Sequence, residues 1–203
     1  SIVIDNLPFP FYLEKEIIEK SSNERKLLPF LKESLRRLEK AQVDFIVIPC
    51  NTVHIFIDEL RKTCRIPIVS ILDETLKVVK NKGFNKIGLL ATTKIINSKL
   101  YETPLRKNDI DVIIPSRNEQ KMLSKIILKI LGNESDENNK KKLSKISHNL
   151  TKRGAQCILL GCTDLQLIQN KHETEVIDTT DVLVSATFNK LIDISKNTNF
   201  KGS

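Results

Sequence analysis

Strand-sized apolar runs and longer stretches with an apolar residue at every third or fourth position follow one another along most of the chain. That alternation predicts an α/β fold, in which a parallel sheet is built from strands joined by crossover helices. Residues 1–5 read as a first strand. Leu27, Leu28, Leu31, Leu35 and Leu38 keep helical spacing within residues 23–41. They form a core-facing stripe that stops after a few turns and so is not a zipper. This helix feeds an apolar strand over 44–49. A helix over 51–62, a strand over 66–71 and a helix over 73–82 closed by Gly83 follow. Strands over 86–91 and 111–115 come next, then an amphipathic helix over 119–131 ended by Gly132. Residues 132–142 are polar and charged and read as a surface loop or helix end. A helix over 140–153, a strand over 156–161, a helix start over 163–170, a strand over 175–178 and a closing helix over 182–194 complete the order.

One unit occurs twice. Phe45, Ile46, Val47 and Ile48 run into Pro49 and Cys50, as Cys157, Ile158, Leu159 and Leu160 run into Gly161 and Cys162. In both places an apolar strand ends in a turn residue, a cysteine and then a polar helix start. Two copies at a domain-sized period are not a solenoid. They predict two similar α/β halves, the first from residues 1–70 with 178–203 and the second from 71–177.

The chain has 203 residues, 40% of them hydrophobic and 29% charged, enough to bury a core and too mixed for disorder or a fibrous repeat. Its apolar runs are far shorter than the roughly 18 to 20 residues that span a bilayer, so no membrane partner is expected. Four cysteines are too few for a disulfide framework, and with no leader segment visible after Ser1 the setting reads as reduced and cytoplasmic. No cysteines stand two residues apart, and His54, His148 and His172 are scattered, so no metal site is expected. The net charge of +8 comes with 5% aromatics and no Trp. The stacking platforms of a single-strand binder are therefore missing, and the charge reads as a solvated surface, with no nucleic-acid partner.

Chemistry enters at the two strand-end cysteines. The carboxyl ends of parallel strands are where ligands bind, and a thiol at a helix N-terminus has its thiolate stabilised. Asn51, Thr52, Thr163 and Asp164 are cap-type residues that place donors beside each sulfur, an arrangement suited to a carboxylate. Two thiols facing one carbon from opposite sides could invert it, one removing a proton and the other delivering one. Cys64 and Cys157 lie away from these positions and read as core.

The segments Pro49 to His54, Gly88 to Thr92 and Leu160 to Asp164, in that order and spacing, resemble the aspartate/glutamate racemase family that works without pyridoxal phosphate, and most closely its aspartate racemases. The resemblance covers nearly the whole chain, including Val43 to Ile46 and Ile177 to Thr180. It implies two pseudo-symmetric parallel-sheet α/β domains with the site in the cleft between them. It also implies an isomerase without cofactor or metal, a small acidic amino-acid substrate and a homodimer. Cys50 and Cys162 would be the catalytic acid/bases. Asn51, Thr52, Thr92 and Thr163 would bind the α-carboxylate and ammonium, with Thr93 a weaker neighbour and Asp164 and His54 in support. The chain departs from the family pattern at Phe11 and Tyr12, where an acidic and basic pair is usual, at Lys94 and Ile95, and at Asp164. These departures suggest a degenerate carboxylate-binding protein as one rival to racemisation; an isomerase or decarboxylase of a small dicarboxylate, which relatives of the fold resemble, and a redox dithiol are the others.

Overall fold

A computed structural model describes residues 1–7, 10–20, 24–168 and 174–199. Among the described residues, six short strands, all in parallel pairs, form two sheets joined by helices. The smaller sheet pairs β1 (Ile46–Val47) with β2 (Ile68–Val69), in register Ile46 to Ile68 and Val47 to Val69. The larger sheet has the order β4, β3, β5, β6, from β3 (Lys86–Leu90), β4 (Asp111–Ile113), β5 (Cys157–Leu160) and β6 (Glu175–Asp178). Leu90 pairs with Leu160, and Leu160 with Asp178.

Around the smaller sheet lie α1 (Phe11–Lys20), a 3₁₀ turn at Glu24–Leu27, α2 (Leu28–Lys40) and α3 (Ile57–Thr63). Leu27, Leu28, Leu31 and Leu35 are buried with Ile46, Leu60 and Ile68, so the leucine stripe faces this core. The predicted strand over 1–5 does not form: the segment joins no sheet, and Ile2 and Ile4 are exposed. A β-prone pattern without a neighbour to pair with has no ladder to enter. Asp5 instead holds the Arg37 guanidinium in a two-pronged contact at 2.9 and 2.8 Å.

The larger sheet is covered on both faces, as a parallel sheet requires. Leu90, Ile158 and Leu160 point to one face, under α7 (Arg117–Leu131) and α8 (Glu137–Lys152); Ile87, Leu89, Cys157 and Leu159 point to the other, with Val79 and Leu105. The second layer uses α4 (Ile71–Asn81), α5 (Thr93–Ser98) and α6 (Glu102–Arg106). The last helix, α9 (Thr179–Asn199), packs on α4. Cys157 is fully buried, and burial pushes its thiol up to about 12, which agrees with an inert core residue.

Capping explains several starts. Ser70 caps α4 through Asp73 N, Ser116 and Glu119 form a reciprocal box on α7, and Asp136 caps α8 through Asn139 N. Because of that last cap, α8 begins within the stretch expected to be a surface loop. The end of the helix expected over 163–170 lies outside the described residues.

Candidate active site

Cys50 follows β1 and Cys162 follows β5, each at the carboxyl end of its strand. The segments after them are 3₁₀ turns, Thr52–Phe56 and Thr163–Ile168, rather than the starts of α-helices. Both cysteines line one cavity of about 100 Å³, together with Asn51, Thr52, Thr92, Thr163 and Asp164. Residues from both sheets thus converge on one space. Ile17, Ile18, Leu27, Val53, Ile127 and Leu131 give it an apolar wall.

The hydroxyls of Thr52 and Thr92 lie 3.5 Å apart across this space. Thr92 also caps α5, accepting from Ile95 N. Its neighbour Thr93 turns elsewhere: its hydroxyl lies 3.0 Å from that of Ser124 and accepts from Gln120 Nε2 at 3.4 Å. Lys94, the next residue, pairs with Glu24 at 2.6 Å. Successive side chains on a helix are about 100° apart, so one threonine of the pair faces the cavity and the other faces α7.

His54 is buried and engaged at both ring nitrogens. Nε2 accepts from Ile71 N at 3.3 Å, and Nδ1 lies 2.8 Å from the Cys50 carbonyl. Since the backbone N–H must donate, Nε2 is bare and Nδ1 carries the proton it gives to that carbonyl. The imidazole therefore ties the turn of Cys50 to the first free N–H of α4, and burial lowers its pKa so that it stays neutral. His172 lies outside the described residues.

A helix N-terminus would lower a thiol pKa, but Cys162 behaves in the opposite way. Burial, and then the charge of Asp164, push its thiol well above the ordinary range, and Sγ donates to Asp164 Oδ2 at 3.5 Å. A single 3₁₀ turn supplies too little dipole to offset desolvation. The charge of Cys50 also raises Cys162, so the two sulfurs sense one another and resist ionising together. Burial raises Asp164 too. All four cysteines are free thiols.

Two residues that sequence reasoning did not single out as site groups hydrogen-bond to Asn51 behind the cavity wall. Tyr101, fully buried, donates its hydroxyl to Asn51 Oδ1, and Asn51 Nδ2 donates to Thr179 Oγ1 at 2.9 Å. A buried tyrosine needs a partner for its hydroxyl, and that need is the one sign of it in the sequence. Among the described residues no cluster of three or more His, Cys, Asp or Glu is arranged to hold a metal, and no helix is long and apolar enough to cross a membrane.

Residues 2–187 match the model of the Asp/Glu/Hydantoin racemase family. The chain is 26% identical to the broad specificity amino-acid racemase RacX of Bacillus subtilis strain 168 over 188 residues, 92% of this chain and 79% of that protein. In fold it is similar to the aspartate racemase of Picrophilus torridus, with TM-score 0.72 and 23% identity over 86% of this chain and 73% of that one. It is similar too to the glutamate racemase of Francisella tularensis in complex with D-glutamate, with TM-score 0.66 and 20% identity over 86% and 67% of the two chains. With paired cysteines at two strand ends and a family match over most of its length, the chain belongs to the Asp/Glu/Hydantoin racemase family, whose racemases are isomerases.

Proposed function

We propose that the protein interconverts the L- and D-enantiomers of aspartate, with glutamate the next candidate, by proton transfer between two thiols. The observation that carries this reading is that Cys50 and Cys162, far apart in sequence, line one cavity together with five hydrogen-bonding residues, Asn51, Thr52, Thr92, Thr163 and Asp164. In the proposed cycle Cys50, the less buried of the two, takes the α-proton as a thiolate. Cys162, kept protonated by burial and by Asp164, delivers a proton to the opposite face. The thiols exchange protonation states, so the reverse reaction starts from the state the forward one leaves. Thr52, Thr92, Thr163 and the backbone N–H groups of the two turns would hold the substrate's α-carboxylate and stabilise the carbanion-like state. No cofactor is required.

The resemblance to aspartate racemases supports the acidic substrate and a homodimer, the four free cysteines support a cytoplasmic setting, and the repeated strand-cysteine unit supports the division into domains of residues 1–70 with 178–203 and 71–177. The test is L-aspartate in deuterated water with chiral separation of the product. Racemisation by this route puts deuterium into both enantiomers, and Cys50→Ser or Cys162→Ser lowers turnover by roughly 10²-fold to 10⁴-fold. Undiminished turnover in either variant would overturn the two-thiol mechanism.

A further inference from the structure

We infer that Tyr101 and Thr179 are positioning residues that tie the turn carrying Cys50 to the strand end carrying Cys162, through the Asn51 amide and the Leu160 carbonyl. This rests on the proposed reading of the two thiols as the reacting pair. The chain of bonds runs from the Tyr101 hydroxyl to Asn51 Oδ1, from Asn51 Nδ2 to Thr179 Oγ1 at 2.9 Å, and from Thr179 Oγ1 to the Leu160 carbonyl at 2.8 Å. Within it Asn51 adjoins Cys50, and at its far end Leu160 stands two residues before Cys162 at the end of β5.

The direction of every bond is forced from one end. A carbonyl only accepts, so the Thr179 hydroxyl donates to Leu160 and must itself accept from Asn51. That turns Nδ2 toward Thr179 and Oδ1 toward Tyr101, whose hydroxyl must then donate. Burial holds the Tyr101 phenol far above its ordinary pKa, so the donor is permanent. With the amide flipped, two acceptors, Asn51 Oδ1 and Thr179 Oγ1, would face each other, and that mismatch alone excludes the flip. The orientation of Asn51 is therefore dictated by Leu160, and one of its two Nδ2 hydrogens is committed to the scaffold. Asn51, Thr179 and Tyr101 are all essentially buried, where a broken link leaves an unsatisfied group rather than a hydrated one.

The chain also crosses between sheets. Asn51 belongs to the turn after β1, while Leu160 ends β5 and Thr179 opens α9 immediately after β6. It thus fixes the separation of the two cysteine-bearing turns, which a two-sided proton transfer must hold closely.

The experiment compares Tyr101→Phe and Thr179→Val, each removing one hydroxyl with little change in volume, with Thr179→Ser, which keeps the hydroxyl. The expected result is a kcat lower by roughly tenfold to a hundredfold in both directions for the first two, KM within about twofold, and recovery of most of the loss in Thr179→Ser. The double variant should lose much less than the product of the single losses, because both bonds belong to one chain. A general structural defect would instead affect Thr179→Ser as much as Thr179→Val, or scale with the fraction unfolded, and either result overturns the inference.

A readout that needs no turnover is the pH dependence of Cys50 and Cys162 alkylation by iodoacetamide, followed peptide by peptide. Loosening the gap admits water and moves the Cys162 midpoint down in Tyr101→Phe and Thr179→Val. Unchanged midpoints overturn the positioning role. A wild-type protein that racemises nothing, but whose thiol midpoints move in these variants, keeps the positioning role and rejects the racemase reading.

Discussion

Gly161→Ala tests how tightly the Cys162 turn is built. Gly161 precedes the cysteine, and its N–H donates to the Leu90 carbonyl at 2.8 Å. Its backbone is not left-handed, so the glycine is required for space and not for conformation. A Cβ there would lie 3.0 Å from Leu89 Cδ1, 3.1 Å from Ala91 Cβ and 3.5 Å from Tyr101 Cε2. The Ala91 methyl has no rotamer into which it can retreat, and Leu89 is buried in the core of the larger sheet. Overpacking of this kind costs about 1–3 kcal/mol. Lower entropy of the unfolded chain returns about 0.4–1 kcal/mol, leaving a net loss centred on about 1.3 kcal/mol. For a chain of this size that is a fall in Tm of roughly 3–5 °C.

Two other glycines calibrate the number. Gly132 has ordinary φ and its nearest neighbour at 3.4 Å, so Gly132→Ala should be neutral or more stable by up to about 1 kcal/mol. Gly83 has open space but φ of +70°, so Gly83→Ala should cost about 1 kcal/mol through backbone strain. Urea unfolding of the three variants gives the ranking. A Gly161→Ala protein as stable as Gly132→Ala would refute the packing argument for this turn.

Burial and charge each make a titration prediction. The folded-state pKa of His54 lies below its ordinary 6.5, so below that pH the unfolded chain binds the proton that the folded one refuses. Stability therefore falls as pH drops through about 6.5 toward the folded pKa, and His54→Gln should flatten that part of the curve in urea titrations from about pH 8 to about pH 5. An identical slope in the variant would remove His54 as the cause. Asp164→Asn should lower the Cys162 thiol pKa, since it removes the carboxylate charge that helps raise it. Alkylation of Cys162 near neutral pH should then be faster than in the wild type, and a slower rate would contradict the electrostatic account.

The central strands of the larger sheet were legible because buried parallel strands are continuous apolar runs, as in Ile87 to Leu90 and Cys157 to Leu160. The strands of the smaller sheet shrink to two residues each, since strand length depends on what lies alongside and not on the run itself. The short helices α5 and α6 were hidden because Lys99 takes a left-handed conformation between them, and Asn97, Ser98 and Pro104 break the helical pattern. At the site, Thr92 and Thr93 entered only through the family resemblance, whereas the cysteines, Asn51, Thr52 and Thr163 were visible from the repeated strand-end motif. Tyr101 was not, because its partner is 50 residues away. Nor was the raised Cys162 thiol, which depends on tertiary burial that no local pattern encodes.

The two cysteines stand on unequal mounts. Cys162 extends from β5, which is hydrogen-bonded to strands on both sides, whereas Cys50 extends from a strand of two residues paired on one side only. In any reaction that spans the gap between them, positional error is set by the weaker mount. The larger sheet then sets the reference position, and His54 and Asn51 supply the bracing that the short strand before Cys50 lacks.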